Sequence, residues 1–216
     1  MGVVGVAVLL GLGIWQVERL QWKTAVIARI DANLSAAPVA IPADPTEQAD
    51  EYRAVTATGD LPGQEIHVLT TAGDFGAGYR NIAVFETDGR RILADLGFIG
   101  LDAKDNVRAA SAVTLTGNLL WPDEVDGWTP APDLAKNVWF ARDLPAMAAA
   151  LNTDPVLLVV RTATPPDPER IPLPLDTSTI PNDHMTYAIT WFSLAFVWAV
   201  MSAFLITRTL RRKGRA

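Results

Sequence analysis

Residues 187–207 run for 21 positions without a charge, and no other stretch limits the possible folds as strongly. At 1.5 Å rise per residue such a helix measures about 30 Å, the thickness of a bilayer's hydrocarbon core. The run reads as a membrane span. Pro181, Asn182 and Asp183 stand before it, a helix-start signature in which Asn182 or Asp183 can cap free backbone amides. Arg208, Arg211, Arg212, Lys213 and Arg215 follow it. A short, purely basic tail is what the positive-inside rule places in the cytoplasm or its equivalent.

A second uncharged run covers residues 3–17. No small-x-small cleavage site follows it, and the next residues, ERLQWKTAVIARIDANL, continue in a helical pattern, so it reads as an uncleaved signal anchor. Gly5, Gly11 and Gly13 would let another helix approach, or are simply tolerated in a membrane helix. With two spans both termini share a side, here the cytoplasm, and the residues between the spans lie outside it.

Those intervening residues carry the acidic charge. All 24 acidic side chains lie between Glu18 and Asp183 with 13 of the 18 basic ones, a net −11 that the basic tail partly offsets. Such a domain offers no footprint for nucleic acid. There is no cysteine, which excludes disulfides, thiolate catalysis, iron–sulfur ligation and any Cys-based metal site.

The helix beginning at the first span is expected to run to about Ala36, where Pro38, Pro42 and Pro45 end it. From Tyr52 the apolar period shortens towards two. Strands are expected over 53–59, 64–71, 81–86, 90–99, 113–121, 138–141 and 155–162, with Asp88-Gly89 turning the clearest hairpin. A short helix should follow Asp143 as N-cap, with Pro145 in its first turn. Six prolines between Thr164 and Pro181 give a stiff return.

The expected fold is an α+β membrane protein in which N- and C-terminal transmembrane helices flank an antiparallel β-rich extracytoplasmic domain. The segments are a first transmembrane helix (1–17), a helical extension and linker (18–48), the β-rich domain (49–163), the Pro-rich return (164–182), a second transmembrane helix (183–207) and a basic cytoplasmic tail (208–216).

Candidate chemistry is sparse. His67, in EIHVLTT, sits mid-strand, where a lone histidine is most often exposed or satisfied. His184 stands at the mouth of the second span. Ala188, Trp191, Ala195, Trp198 and Ser202 follow it at helical spacing on one face. That face suits a flat ligand such as a haem, with His184 as axial ligand and Trp191 or Tyr187 beside the macrocycle. It equally suits helix packing, with the alanines admitting the first span and the tryptophans facing lipid or a partner. No serine lies in a nucleophile-elbow context, and the glycines of DFGAGYRN lack a phosphate loop's lysine. Arg80-Asn81 could recognise a carboxylate or form a turn leading into a strand.

Five motifs in order resemble the surfeit locus protein one family, membrane assembly factors of haem–copper cytochrome c oxidase. They are Gly13-Ile14-Trp15-Gln16 with Arg19, Trp22 and Lys23; Tyr52-Arg53 with Gly59; and Gly78-Tyr79 with Phe85, Thr87 and Gly89. Asn137, Trp139, Phe140, Asp143, Met147 and Ala148 form the fourth, and Asn182, His184, Tyr187, Ala188, Thr190, Trp191 and Phe192 the last. Leu96 departs from the family, which usually carries arginine before the Gly-aromatic pair, here Gly97-Phe98.

The resemblance implies a non-enzymatic factor of a bacterial cell inner membrane that binds haem a transiently. Its haem iron ligand would be His184, with Tyr187 and Trp191 as further haem-binding residues. Partners would be oxidase subunit I, other assembly factors and membrane lipid. The alternative is a scaffold or accessory subunit that holds the oxidase without touching haem.

Overall fold

The computed structural model describes residues 2–106 and 108–213, so Arg215 of the expected tail lies outside the described residues. The chain forms two compact units, Met1–Asp31 with Thr177–Ala216, and Ala32–Asp176.

The first unit is built from α1 (Gly2–Ser35) and α4 (His184–Lys213). With 34 and 30 residues they measure about 51 and 45 Å, and both are long and apolar enough to cross a membrane. The first span and its helical extension are thus one continuous helix. The positions expected as a separate basic tail are, as far as Lys213, the last turns of α4.

The glycines of α1 are notches for side chains of α4. A Cβ built on Gly5 would fall 2.8 Å from Trp198 Nε1, one on Gly13 2.7 Å from Phe192 Cε1, and one on Gly2 2.7 Å from Ser202 Oγ. Rising numbers on one helix against falling numbers on the other make the pair antiparallel. Gly11 has nothing within 4 Å and serves no such purpose.

The second unit holds seven strands: β1 (Ala54–Leu61), β2 (Glu65–Ala72), β3 (Gly76–Thr87), β4 (Arg90–Gly100), β5 (Ala110–Leu120), β6 (Val138–Trp139) and β7 (Leu157–Thr164). The helices α2 (Glu47–Asp50) and α3 (Leu144–Leu151) complete it, together with the last turn of α1. The sheet order is β1-β5-β7-β4-β3-β2-β6, and a further β1–β3 pairing at Asp60–Glu86 closes the first five strands into a barrel. The Thr87 hydroxyl donates to the Thr58 carbonyl (2.9 Å) beside this seam. Most pairs are antiparallel, but β4–β7 and β2–β6 are parallel.

Period two decides which residues fill the barrel. Val55, Phe85, Ile92, Ala94, Leu115, Leu119 and Leu158 point inward, while Ile82, Leu93, Leu157 and Val159 from the other face pack with Trp139, Leu144 and Met147 of β6 and α3. Asp143 caps α3, accepting the Ala146 N–H (3.1 Å). Asp88 and Gly89 both have positive φ, as a type I′ hairpin turn requires.

Strand β3 starts five residues earlier than its apolar pattern indicates. The stretch Gly76 to Arg80 is poor in apolar side chains, so its strand state is imposed by pairing with β2 from Ala72–Gly76 onward. Within the stretch read as a linker, Val39 bridges to Val55 and so lengthens the sheet. The Pro-rich return likewise pairs once, Ile171 with Phe98 of β4.

Candidate functional site at the mouth of the second span

His184 is the first residue of α4, and its Nδ1 lies 2.7 Å from Oε1 of Gln16 on α1. Two sequence positions 168 apart meet here because the helices are antiparallel. Gln16 is only 8% exposed. The amide oxygen can only accept, so the Nδ1–H donates, and in the neutral ring Nε2 then carries the lone pair. Among the described residues the ring makes no other hydrogen bond. A neutral imidazole with a free Nε2 is the form that binds a metal.

Behind His184, the two halves of the stripe have different jobs. Ala188 and Ala195 are each 2% exposed. In register they fall between His184–Gln16, Phe192–Gly13 and Trp198–Gly5, so they lie against α1. Packing therefore claims the alanines, and Trp198 covers Gly5 rather than facing only lipid. Trp191 and Tyr187 stand about 20° and 60° round the helix from His184 on the same flank. Trp191 is half-buried and Tyr187 is 55% exposed, so Tyr187 is the more open of the two.

The start of α4 is not capped as expected. The Asp183 carbonyl accepts the Tyr187 N–H (3.2 Å), but neither Asn182 nor Asp183 gives a side-chain cap among the described residues, and Asn182 Oδ1 is buried without a hydrogen-bond partner. On α1, one turn beyond Gln16, the Arg19 guanidinium stacks over Trp22 at 4.4 Å.

Other candidates resolve into structure. His67 is 4% exposed, with Nε2 2.9 Å from Glu65 Oε1 and Nδ1 3.4 Å from Asn137 Nδ2: a satisfied core histidine. Burial raises the Glu65 carboxyl, but the bond with His67 and the charges of His67 and Arg108 outweigh it and hold the pKa below the ordinary value. Arg80 does recognise a carboxylate, that of buried Asp95 (2.6 Å), which Arg142 also reaches (3.3 Å). Its place within β3 removes the alternative of a turn. Leu96 faces the barrel core, as an apolar residue there should. Among the described residues no group of three His, Asp or Glu side chains could hold a metal ion.

Most motif residues likewise have structural duties. Gly59 lies under the Glu86 carbonyl at the barrel seam, Phe85 fills the core, Asn137 donates to the Glu65 carbonyl, and Asp143 caps α3. Of the remainder, Gln16 and His184 meet across the two helices. Sequence reading placed Gln16 in a motif but not beside His184, since nothing in a sequence couples positions so far apart.

The SURF1 family model matches residues 3–196. Surfeit locus protein 1 of Rattus norvegicus is 28% identical over 225 residues, covering 89% of this chain and 71% of that protein. The SURF1-like protein of Monosiga brevicollis is 33% identical over 96% of this chain and 85% of its own length, and that of Drosophila melanogaster 31% over 89% and 73%. With residues 3–196 of a 216-residue chain inside the match, the chain belongs to the SURF1 family.

Proposed function

We propose that this chain is an assembly factor for haem–copper cytochrome c oxidase that holds haem a at His184 and passes it to subunit I. The observation that supports the reading is the imidazole at the helix mouth, its Nδ1 engaged by Gln16 and its Nε2 without a hydrogen-bond partner among the described residues, with Tyr187 and Trp191 one and two turns further along the same helix. As cargo, haem a brings an iron with axial positions to fill, a farnesyl tail suited to lipid and propionates suited to the interface. His184 would bind the iron through Nε2, and Tyr187 and Trp191 would cover the ring's edge. No covalent step is required of the chain, so its role is that of a carrier rather than an enzyme. The setting is a bacterial inner membrane, with the acidic unit in the periplasm and the basic end of α4 in the cytoplasm.

A scaffold that grips the oxidase without haem is the competing reading, favoured by an apolar groove of about 450 Å³ edged by Gly5, Val8, Leu9, Leu194, Val197 and Trp198. His184→Ala separates them. Protein purified from cells making haem a should show a haem a absorption band that the variant loses, while subunit I still co-purifies. An unchanged band in the variant rejects His184 as ligand, and a wild type that co-purifies subunit I with no haem a band leaves the scaffold.

A further inference from the structure

An amide buried in a membrane helix is costly unless hydrogen-bonded, and a leucine would occupy position 16 more favourably if packing were its only task. Gln16 is 8% exposed, on the uncharged part of α1, and the side-chain contact it makes is to His184 Nδ1 at 2.7 Å. Its backbone N–H and carbonyl are already used by the helix. The amide is therefore explained by the imidazole.

We infer that Gln16 is a positioning residue for His184: it fixes the Nδ1–H tautomer and the ring's orientation, and because it is a neutral acceptor it leaves the ligand less basic towards haem iron than a carboxylate would. This rests on the haem-binding reading above. Metal-binding histidines commonly donate their second N–H to an orienting acceptor, and a carboxylate there pushes electron density into the ring. A neutral amide orients with less push. For a carrier that must release its cargo, weaker donation to the iron is an advantage.

Two substitutions separate orientation from basicity. Gln16→Leu removes the acceptor, and Gln16→Glu keeps an acceptor but charges it. With haemin as probe and the full chain in lipid nanodiscs, Gln16→Leu should weaken binding by about 10–100-fold, the usual effect of removing such a partner. Its haem reduction potential should rise, because a less basic ligand stabilises ferric iron less. Gln16→Glu should shift the potential the other way and slow haem transfer to excess apomyoglobin. Potentials and transfer rates equal to wild type in both variants would overturn the inference.

A haem-free measurement keeps the test independent of the proposed function. Nitrogen-15 shifts of His184 should report Nδ1–H in the wild type and the Nε2–H form in Gln16→Leu. An Nε2–H imidazole in the wild type overturns the role of Gln16 even if His184→Ala abolishes haem binding. The reported Nδ1–H, lost in Gln16→Leu, sustains it even if His184→Ala leaves haemin bound, an outcome that would reject only the haem reading.

Discussion

Three basic side chains converge on Glu65 in the β unit: His67, Arg108 and Arg170 reach it at 2.9, 2.8 and 3.5 Å, all three are buried, and the Glu65 side chain is only 9% exposed. Glu65→Gln leaves two guanidinium groups short of their counter-charge in a poorly solvated site. Removing one partner of a buried ion pair costs about 3 kcal/mol or more, and the thermal midpoint should fall accordingly. The pH dependence has a definite sign. Since the native carboxyl titrates below the ordinary glutamate value of about 4.3, its contribution is fully present above that pH and is lost as pH drops through the lowered native value. Wild-type melting should therefore decline on acidification below about pH 4.3, and Glu65→Gln should decline less steeply over the same interval.

Elements here are joined where backbone meets backbone closely. Strand β4 bends at Gly97, whose φ is +98° and whose Cβ would fall 2.1 Å from the Ile171 carbonyl. That approach lets the Pro-rich segment pair with β4, Phe98 and Ile171 exchanging N–H···O bonds of 2.7 and 2.9 Å. Gly97→Ala adds a strained backbone to a steric clash, and should cost at least about 2 kcal/mol in urea unfolding with the Ile171 pairing lost from amide exchange protection. Asp95, two residues earlier, steadies the bend by accepting the Gly97 N–H (3.1 Å). The carbonyl of Leu34, in the last turn of α1, is satisfied in a similar manner by Asn118 Nδ2 (3.3 Å) and Arg161 Nη1 (3.1 Å), a helix end completed by side chains rather than by a glycine cap.

At the scale of the molecule the chain is a pair of apolar helices and a closed barrel, each compact in itself. Residues 32–176 own both hydrophobic clusters, so that segment expressed alone should give a β-type circular dichroism spectrum and a single cooperative melt; a non-cooperative profile would show the barrel depends on the helices. Much of this was legible from local pattern. An uncharged run of 21 residues has few stable states other than a membrane span, alternation marked the strands, Asp88-Gly89 marked a turn, and Asp143 marked a cap. The candidate ligand His184, with Tyr187 and Trp191, was legible through its motif. What the sequence left undecided were pairings between distant positions: the strand order, the Asp60–Glu86 seam, the two parallel pairs, and the early start of β3 against β2. The ambiguous stripe of α4 belonged to the same class. Helical spacing says which residues share a face, but only the partner helix decides what that face meets, and here α1 takes Ala188 and Ala195 and sets Gln16 against His184. Periodicity is a local property of the chain, whereas contact at a distance depends on how all the elements pack at once.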